Sequence, residues 1–485
     1  RGPLKEYILD EASSMQFLNS NLISPNKLKK DLNNLILNNK NYSHYYSESI
    51  WKEFSIYIWE KINYPFFQNI DGEELFFSDL TDIEIEGINN VKEGDVVALI
   101  GDFDPESIAT LLFLIEKKAI IVPLTKETKE QHEYFLKESF TKFVFERNKL
   151  IKTLSNSSNK NPYIEKLRLL NNPGLILFTT GTTGKPKAIL HDFLPFFERY
   201  KTPRPPLKAL SFLLFDHIGG LNTLFHMLFN QGQVVAIKKR SVESVINAIN
   251  KYSIELLPTT PTFLRMISLY PDVENKISSS LKIISYGTER MDQPTLDRLC
   301  KQFPNVDFRQ TYGMSELGIL RIKSKSRNSL YMKIGGEGVE LKVIDEILYV
   351  KAKNKMIGYL NAKSPFDKNG WYCTRDIVEC KEKDYFKITG RDSDTLNIGG
   401  LKFMPSEVEV ECLKNPKIKQ AKAYGKENPI TGQHLELILE VEEANKPANL
   451  KKLIMEDLKE KLPRYMLPSK IIFKSLNLSH RFKKL

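Results

Sequence analysis

Continuous apolar runs alternate with amphipathic stretches along the chain from residue 94 onward. Val96–Ile100 and Ala119–Leu124 are uninterrupted apolar runs, the pattern of strands that are buried on both faces. Between them, Asp104–Glu116 carries apolar residues at helical spacing. The order strand, helix, strand is typical of a doubly wound α/β sheet.

The alternation repeats further along the chain and then changes character. It predicts a helix at 241–251 and strands at 233–237, 254–257, 281–285 and 306–309. Short alternating strands take over from Val339 to Lys351, which indicates a β-rich subdomain.

These patterns predict an α/β fold in three parts. Residues 1–45, rich in Asn, Lys and Ser, form an N-terminal extension of unknown role. Residues 46–390 form a large N-terminal domain of doubly wound α/β subdomains plus the β-rich subdomain. Residues 391–485 form a small α+β C-terminal domain of ordinary size.

The composition narrows the class of partner. The net charge of +11 and the pI near 9.1 suit an acidic partner such as a nucleotide, a coenzyme or a carrier protein. The lysines are scattered and form no nucleic-acid-binding arm, so we expect no nucleic-acid partner. Four cysteines without a C-x-x-C pair favour a reduced, cytoplasmic setting.

Neither a membrane span nor a signal peptide is predicted. The most apolar region, Ala209–Phe229, is interrupted by four polar residues: Asp216, His217, Asn222 and His226. The opening residues lack the charged, apolar and small-residue segments of a signal peptide.

A loop dense in hydrogen-bond donors follows the apolar run Gly174–Phe178. The loop Thr179–Lys187 reads Thr-Thr-Gly-Thr-Thr-Gly-Lys-Pro-Lys. Small residues let backbone amides converge on an anion, and the hydroxyls and lysines add donors and positive charge. The spacing of a Walker loop is absent. A polar turn with solvated lysines is the alternative, but donors packed behind a buried strand favour a nucleotide-phosphate loop.

Three later stretches carry residue types that handle adenine, ribose and metal. In Gln310–Glu316 an aromatic ring beside glycine can lie on a purine, and the hydroxyl and carboxylate that follow can meet phosphate and Mg²⁺. Trp371–Asp376 ends in a carboxylate that can accept both ribose hydroxyls. Gly390–Glu409 is rich in turn residues. Each stretch alone could be an ordinary turn; their occurrence in one order points to a site.

That order resembles the ANL superfamily of adenylate-forming enzymes, which includes acyl-CoA and aryl-CoA synthetases, adenylation domains and luciferases. The resemblance runs from about Asp95 to Lys483 and includes a late segment, Leu462–Pro468. It implies that a carboxylate attacks the α-phosphorus of ATP, giving an acyl-adenylate and pyrophosphate. The thiol of CoA or of a carrier protein's phosphopantetheine then takes the acyl group and releases AMP.

The resemblance also implies roles for individual residues. Glu316 would hold Mg²⁺, Tyr312 would stack on adenine, and Asp376 and Arg391 would hold the ribose. The full set implied to bind ATP is Thr179, Thr180, Gly181, Thr182, Thr183, Gly184, Lys187, Gly287, Thr288, Glu289, Tyr312, Gly313, Ser315, Asp376 and Arg391. Arg375 stands where the family usually has glycine, and we expect its side chain to change that loop.

A catalytic lysine is expected near the C-terminus. The family's pattern aligns Lys483 with it, and Lys484 is the runner-up because the usual Asn-Gly is missing. The small domain would rotate between the two half-reactions about Ser393. Gly399 and Gly400 would then border the thiol tunnel, or form a plain hairpin turn.

The acid pocket is expected around residues 213–220. His217 is the candidate gate, and a core histidine held by backbone is the alternative. Amino-acid-activating relatives carry an Asp where Ile218 aligns here, with Asp216 two residues earlier, so an acid without an α-amino group is favoured. The pocket residues implied are His217, Gly219, Gly220, Thr260, Tyr286 and Met314.

Four functions remain open from the sequence. The leading hypothesis is an acyl- or aryl-activating ligase that delivers to CoA. The others are delivery to an acidic carrier protein, an amino-acid-activating domain, and a non-catalytic nucleotide-binding protein suggested by the degraded lysine motif.

Overall fold

The computed structural model describes residues 62–479, apart from 70, 155–160, 180–184, 199, 201–203, 383, 430, 443–448 and 477. Three predictions lie outside these residues: the N-terminal extension 1–45, the middle of the Thr179–Lys187 loop, and Lys483 with its neighbour Lys484.

The strands and helices of the described residues follow in chain order. The strands are β1 Phe67–Asn69, β2 Glu74–Leu75, β3 Val96–Ile100, β4 Ile120–Leu124, β5 Phe143–Glu146, β6 Lys149–Thr153, β7 Gly174–Phe178, β8 Ala188–Asp192, β9 Lys208–Ser211, β10 Gln233–Ala236, β11 Leu256–Thr259, β12 Ile283–Tyr286, β13 Asp307–Gln310, β14 Gly313–Met314, β15 Gly318–Ile319, β16 Arg321–Ser324, β17 Met332–Gly335, β18 Val339–Ile344, β19 Ile347–Ala352, β20 Gly358–Tyr359, β21 Tyr372–Lys381, β22 Tyr385–Arg391, β23 Leu396–Ile398, β24 Leu401–Phe403, β25 Ile418–Asn428, β26 Gly432–Val441 and β27 Lys470–Phe473. The helices are α1 Phe77–Asp82, α2 Pro105–Glu116, α3 His132–Glu138, α4 Pro162–Leu170, α5 Phe193–Glu198, α6 Ile218–Phe229, α7 Val242–Tyr252, α8 Pro261–Ser268, α9 Val273–Lys276, α10 Gln293–Gln302, α11 Pro405–Leu413 and α12 Leu450–Lys461.

Two mostly parallel sheets carry most of the predicted apolar runs. The first has the order β20-β8-β7-β4-β3-β5-β6, in which β7, β4, β3 and β5 are parallel and the edges are antiparallel. The second has the order β13-β12-β11-β9-β10-β1-β2 and is parallel except at β2. Helices alternate with these strands, which confirms the predicted α/β architecture.

An antiparallel sheet follows in the order β16-β17-β22-β21-β19-β18, where the sequence predicts a β-rich subdomain. A separate apolar core then forms within residues 396–473, around the sheet β25-β26-β27 and helices α11 and α12. No helix in the described part of the chain is both long and apolar enough to cross a membrane.

Local sequence explains where the elements begin and end. Asp104 caps α2 by accepting from Ser107 N at 2.9 Å, and Pro105 occupies the first turn, where its missing N–H costs no hydrogen bond. Strand β7 is buried along its whole length, as expected of a continuous apolar run inside a sheet.

Candidate functional site

The Thr179–Lys187 loop joins two antiparallel strands rather than opening a helix. Strands β7 and β8 pair from Gly174 opposite Asp192 to Phe178 opposite Ala188. Thr179 N donates to Lys187 O at 3.1 Å, and Lys187 N donates to Thr179 Oγ1 at 3.0 Å. The base of the loop is therefore closed by two hydrogen bonds. Five residues implied to bind ATP lie outside the described residues: Thr180, Gly181, Thr182, Thr183 and Gly184.

Glu316 and Lys187 meet the same aromatic side chain. Tyr359 in β20 donates its hydroxyl to Glu316 Oε1 at 2.6 Å. The ammonium of Lys187 lies 4.9 Å from the centre of the Tyr359 ring. The structure thus brings together the candidate metal ligand and the last lysine of the loop.

A buried histidine holds the turn that carries Ser315 and Glu316. His191 Nε2 lies 2.6 Å from Ser315 O, and because a carbonyl oxygen only accepts, the ring donates. Burial lowers the pKa of His191 from 6.5 to about 4, while the hydrogen bond to Ser315 opposes the shift. The imidazole is therefore neutral at physiological pH.

Tyr312, Asp376 and Arg391 form one hydrogen-bonded cluster. Tyr312 donates its hydroxyl to Asp376 Oδ2 at 2.7 Å, and Arg391 Nε donates to Oδ1 at 3.1 Å. Asp376 is 4% exposed, and burial raises its pKa, although Arg391 and Tyr312 act in the opposite direction. The two residues expected to hold the ribose therefore lie together, beside the residue expected to stack on adenine.

The predicted adenine-edge residues lie at the carboxyl ends of parallel strands. A Cβ on Gly287 would come 2.0 Å from Thr311 Oγ1, so only glycine fits between β12 and the segment after β13. Thr288 has φ +70° and is exposed. Glu289 Oε1 accepts from Thr262 N at 2.8 Å in the first turn of α8, which gives this carboxylate a structural partner.

Most predicted acid-pocket residues surround the starts of α6 and α8. His217 caps α6, because its Nδ1 accepts a hydrogen bond from Gly219 N at 3.0 Å. The alternative to a gate, a histidine held by backbone, therefore applies to one of its two ring nitrogens. A Cβ on Gly220 would come 2.0 Å from Leu214 O. Thr260 caps α8 by accepting from Phe263 N at 3.2 Å. Tyr286 is buried at the end of β12, and Met314 is half-buried in β14, which pairs Gly313 with Ile319.

The predicted hinge and tunnel residues lie in exposed turns. Ser393 Oγ donates to Asp394 Oδ1 at 3.0 Å in a short 3₁₀ turn after β22. Gly399 and Gly400 connect β23 and β24 with φ of +60° and +88°, which is the two-residue hairpin geometry that favours glycine. A Cβ on either glycine would meet no atom within 4 Å.

Sequence reasoning missed three residues that hold this site together: His191, Tyr359 and Asn361. Asn361 Oδ1 accepts from Ala188 N at 2.9 Å, and its Nδ2 donates to Pro186 O at 3.2 Å, at the exit of the loop. Each stands in a stretch without a motif, so only the pairing of β20 with β8 reveals their positions.

The AMP-binding enzyme family matches residues 87–367, more than half of the chain. This chain belongs to that family. The resemblance to the adenylate-forming superfamily is thereby confirmed.

Individual relatives of the enzyme are distant in sequence identity. The 2-succinylbenzoate–CoA ligase of Bacillus subtilis (strain 168) is 25% identical over 446 residues, 83% of this chain and 89% of the relative. The 4-coumarate–CoA ligase 4 of Arabidopsis thaliana is 26% identical over 277 residues, 50% of this chain and 49% of the relative. The enzyme is an AMP-forming acid–thiol ligase, as its sequence predicts.

Solved structures share the fold of the enzyme. The crystal structure of the anthranilate CoA ligase AuaEII in complex with anthranoyl-AMP has a TM-score of 0.75 at 17% identity, covering 90% of this chain and 94% of that one. The o-succinylbenzoate CoA synthetase from Bacillus subtilis, in complex with the acyl-adenylate OSB-AMP, has a TM-score of 0.69 at 20% identity, covering 90% and 96%.

The described residues of the enzyme fit ATP and Mg²⁺. Magnesium in nucleotide sites is held by one or two carboxylates together with substrate phosphates. Glu316 offers such a carboxylate, and it is hydrogen-bonded to Tyr359, which Lys187 also contacts. Each oxygen of Asp376 accepts one hydrogen bond from protein and has a further lone pair for a ribose hydroxyl.

Proposed function

We propose that this enzyme activates an aromatic carboxylic acid with ATP and transfers the acyl group to the thiol of coenzyme A. The observation that carries the proposal is the continuous path from Tyr312, with its partners Asp376 and Arg391, through the turn to Glu316 and Lys187. A nucleotide lying along this path meets a ring, a buried carboxylate, a metal ligand and a cation in that order.

In the proposed complex Asp376 holds the ribose and Tyr312 lies against adenine. The buried Asp376 carboxylate is already oriented by Tyr312 and Arg391, so it loses little freedom when it accepts the ribose hydroxyls. Arg391 stays paired to it and supplies positive charge on the side towards the C-terminal region.

The proposed chemistry brings two anions together, a carboxylate and the α-phosphate of ATP. Donors and cations must therefore face the charge that develops between them. Thr179, Lys187 and the glycines and threonines between them would hold the phosphates, and Ser315 would donate to the α-phosphate. Glu316 would bind Mg²⁺, which neutralises phosphate charge when bound. Lys483 would approach the reacting carboxylate from the C-terminal end.

We also propose that residues 391–485 form the small domain and rotate about Ser393 between the half-reactions, with residues 46–390 as the large domain. The separate core within residues 396–473 supports a unit that can move as a body. After rotation, Gly399 and Gly400 would border the pantetheine thiol, because their exposed turn has no side chain to obstruct it.

The proposed substrate is an aromatic acid without an α-amino group. Ile218 is 8% exposed at the start of α6 and packs into the core, so it offers nothing to an ammonium group. The relatives named above act on 2-succinylbenzoate, 4-coumarate and anthranilate, which are all aromatic acids. His217, Gly219 and Thr260 would shape the entrance to the pocket.

A carrier protein is the second candidate acceptor, because the net charge of +11 would attract an acidic surface. We propose a cytoplasmic location, supported by the free thiols of the four cysteines. The scattered lysines give no reason to propose a nucleic-acid partner.

Acid-dependent exchange of pyrophosphate into ATP, measured across aromatic, aliphatic and amino acids, tests the proposal. We expect exchange with aromatic acids and AMP release on adding CoA. Release with a pantetheinylated carrier alone would replace CoA by the carrier, and exchange with amino acids alone would overturn the substrate assignment. No exchange with any acid would favour the non-catalytic alternative.

A further inference from the structure

Tyr359 contacts two charged groups of the site with two parts of its side chain. Its hydroxyl donates to Glu316 Oε1 at 2.6 Å, the range of strong hydrogen bonds to a carboxylate. Its ring face lies 4.9 Å from the ammonium of Lys187, a cation–π contact. Tyr359 is 3% exposed and packs against Ile189 and Met356. Its ring position is therefore fixed by packing.

The backbone around Tyr359 is tied to the segments of both partners. Tyr359 pairs with Ile189 in the β20–β8 ladder, two residues beyond Lys187. On the other side, Met356 N donates to Glu316 O at 2.8 Å. One short segment thus links the exit of the phosphate loop to the turn that carries the candidate metal ligand.

Tyr359 lies in contact with both Lys187 and Glu316. No ion pair joins the two within the part of the chain that the structure describes, although both contact Tyr359. A direct ion pair would have to break before either group could bind Mg²⁺ or phosphate. The Tyr359 hydroxyl is a neutral donor, so it orients the carboxylate without cancelling its charge.

We infer that Tyr359 is a positioning residue that holds Glu316 for Mg²⁺ and Lys187 for phosphate. The inference rests on the proposed function, because it takes Glu316 as the magnesium ligand. Tyr359 acts through these two side chains, and Glu316 Oε2 is the oxygen left to face the ion.

The substitution Tyr359→Phe tests the inference because it removes the hydroxyl and keeps the ring. The probe is a non-hydrolysable ATP analogue titrated by calorimetry with Mg²⁺ and again in EDTA. We expect affinity with Mg²⁺ to fall about 10- to 100-fold, the usual effect of losing a partner of a metal ligand. Affinity in EDTA should stay unchanged. Tyr359→Leu, which also removes the ring from Lys187, should lower affinity in EDTA as well.

A matched control exists in the C-terminal region, where Tyr424 donates its hydroxyl to Glu436 Oε2 at the same 2.6 Å. Tyr424→Phe loses an equivalent hydrogen bond and should leave the Mg²⁺ dependence unchanged. Equal Mg²⁺ dependence in Tyr359→Phe and wild type would overturn the inference and leave Tyr359 a structural role only.

A double-variant cycle separates an effect that acts through Glu316 from a general loss of folding stability. Once Glu316 is replaced by Gln, adding Tyr359→Phe should cause no further loss of Mg²⁺-dependent affinity. Additive losses would contradict action through Glu316. If wild type binds the analogue equally with Mg²⁺ and with EDTA, the proposed role of Glu316 itself fails, and the inference fails with it.

Discussion

Replacing Arg265 by methionine should uncouple the C-terminal region from the rest of the chain. Arg265 lies in α8 and is 2% exposed. Its guanidinium donates to Lys419 O and Ile418 O, each at 2.6 Å, and to Leu413 O at 3.3 Å. Leu413 ends α11, so one of these carbonyls belongs to a helix terminus that lacks intrahelical partners. All three acceptors lie beyond the expected hinge.

Before the proposed hinge in the sequence, Arg265 donates to Thr295 Oγ1 at 2.7 Å and lies 3.9 Å from Asp292. Methionine keeps much of the side-chain volume but donates nothing, which leaves buried carbonyls unpaired at about 1–3 kcal/mol each. Removing a buried charge also removes its desolvation cost. The net loss should be about 3–5 kcal/mol, as for breaking a buried charged interaction from one side.

This loss should lower the stability of the C-terminal region alone, because the core within residues 396–473 is separate from the others. Native-state hydrogen exchange measures it region by region. Amides of β25 and β26 should exchange roughly 100-fold faster or more in Arg265→Met, since each 1.4 kcal/mol is a factor of ten. Amides of β3 and β4 should keep the protection they have in wild type.

Arg309→Met is the matched control, because Arg309 pairs with Asp307 at 2.6 Å on an exposed surface. Exposed pairs contribute about 0–1 kcal/mol, so exchange in β25 and β26 should stay near the wild-type rate. Unchanged protection of β25 and β26 in Arg265→Met would refute the reasoning, as would equal acceleration of exchange throughout the molecule.

Three further predictions concern single positions. Arg375 has φ +58°, so Arg375→Gly should raise the free energy of unfolding by about 1 kcal/mol, and a lower urea midpoint would contradict this. Burial lowers the pKa of His191 from 6.5 to about 4. Between these pH values the unfolded chain binds a proton that the folded chain does not, so the free energy of unfolding should fall as pH drops from 6.5 towards 4. At pH 5 the cost is about 2 kcal/mol, and His191→Gln should lose correspondingly less stability than wild type between pH 7 and pH 5 in urea titrations. Lys483→Ala should abolish adenylate formation and leave thiolysis of supplied acyl-adenylate largely intact; loss of adenylation in Lys484→Ala alone would shift the alignment by one residue.

Strand predictions were confirmed where a continuous apolar run lies inside a sheet, as at Val96–Ile100. The strand predicted at 254–257 instead spans Leu256–Thr259. Ile254 belongs to the end of the preceding helix, because Ser253 is left-handed at φ +52° and Ile254 N donates to Ile249 O at 3.0 Å. The strand then runs through Pro258, a residue that disfavours interior strands because it lacks an N–H donor.

The residues of the candidate site also fall into two groups. Some stand in sequence motifs, and the others are placed by contacts between distant parts of the chain. Asp376 and Tyr312 stand in stretches that the sequence analysis singled out. Because both were expected to bind the same nucleotide, their proximity could be expected from the sequence. Tyr359 and His191 stand in stretches with no pattern, and β20 is only two residues long. Their roles depend on which strands become neighbours, which no local signal encodes.

The Asp376–Arg391 pair connects the proposed ribose site to the proposed hinge. Arg391 ends β22, and the turn containing Ser393 begins at the next residue. Asp376 keeps Arg391 in place through Oδ1, the oxygen that a ribose hydroxyl would also approach. Any shift of that carboxylate on nucleotide binding must therefore move Arg391 or weaken its hydrogen bond. Because Arg265 also holds the end of α11 through Leu413 O, both restraints on the C-terminal region would have to give way in the proposed rotation.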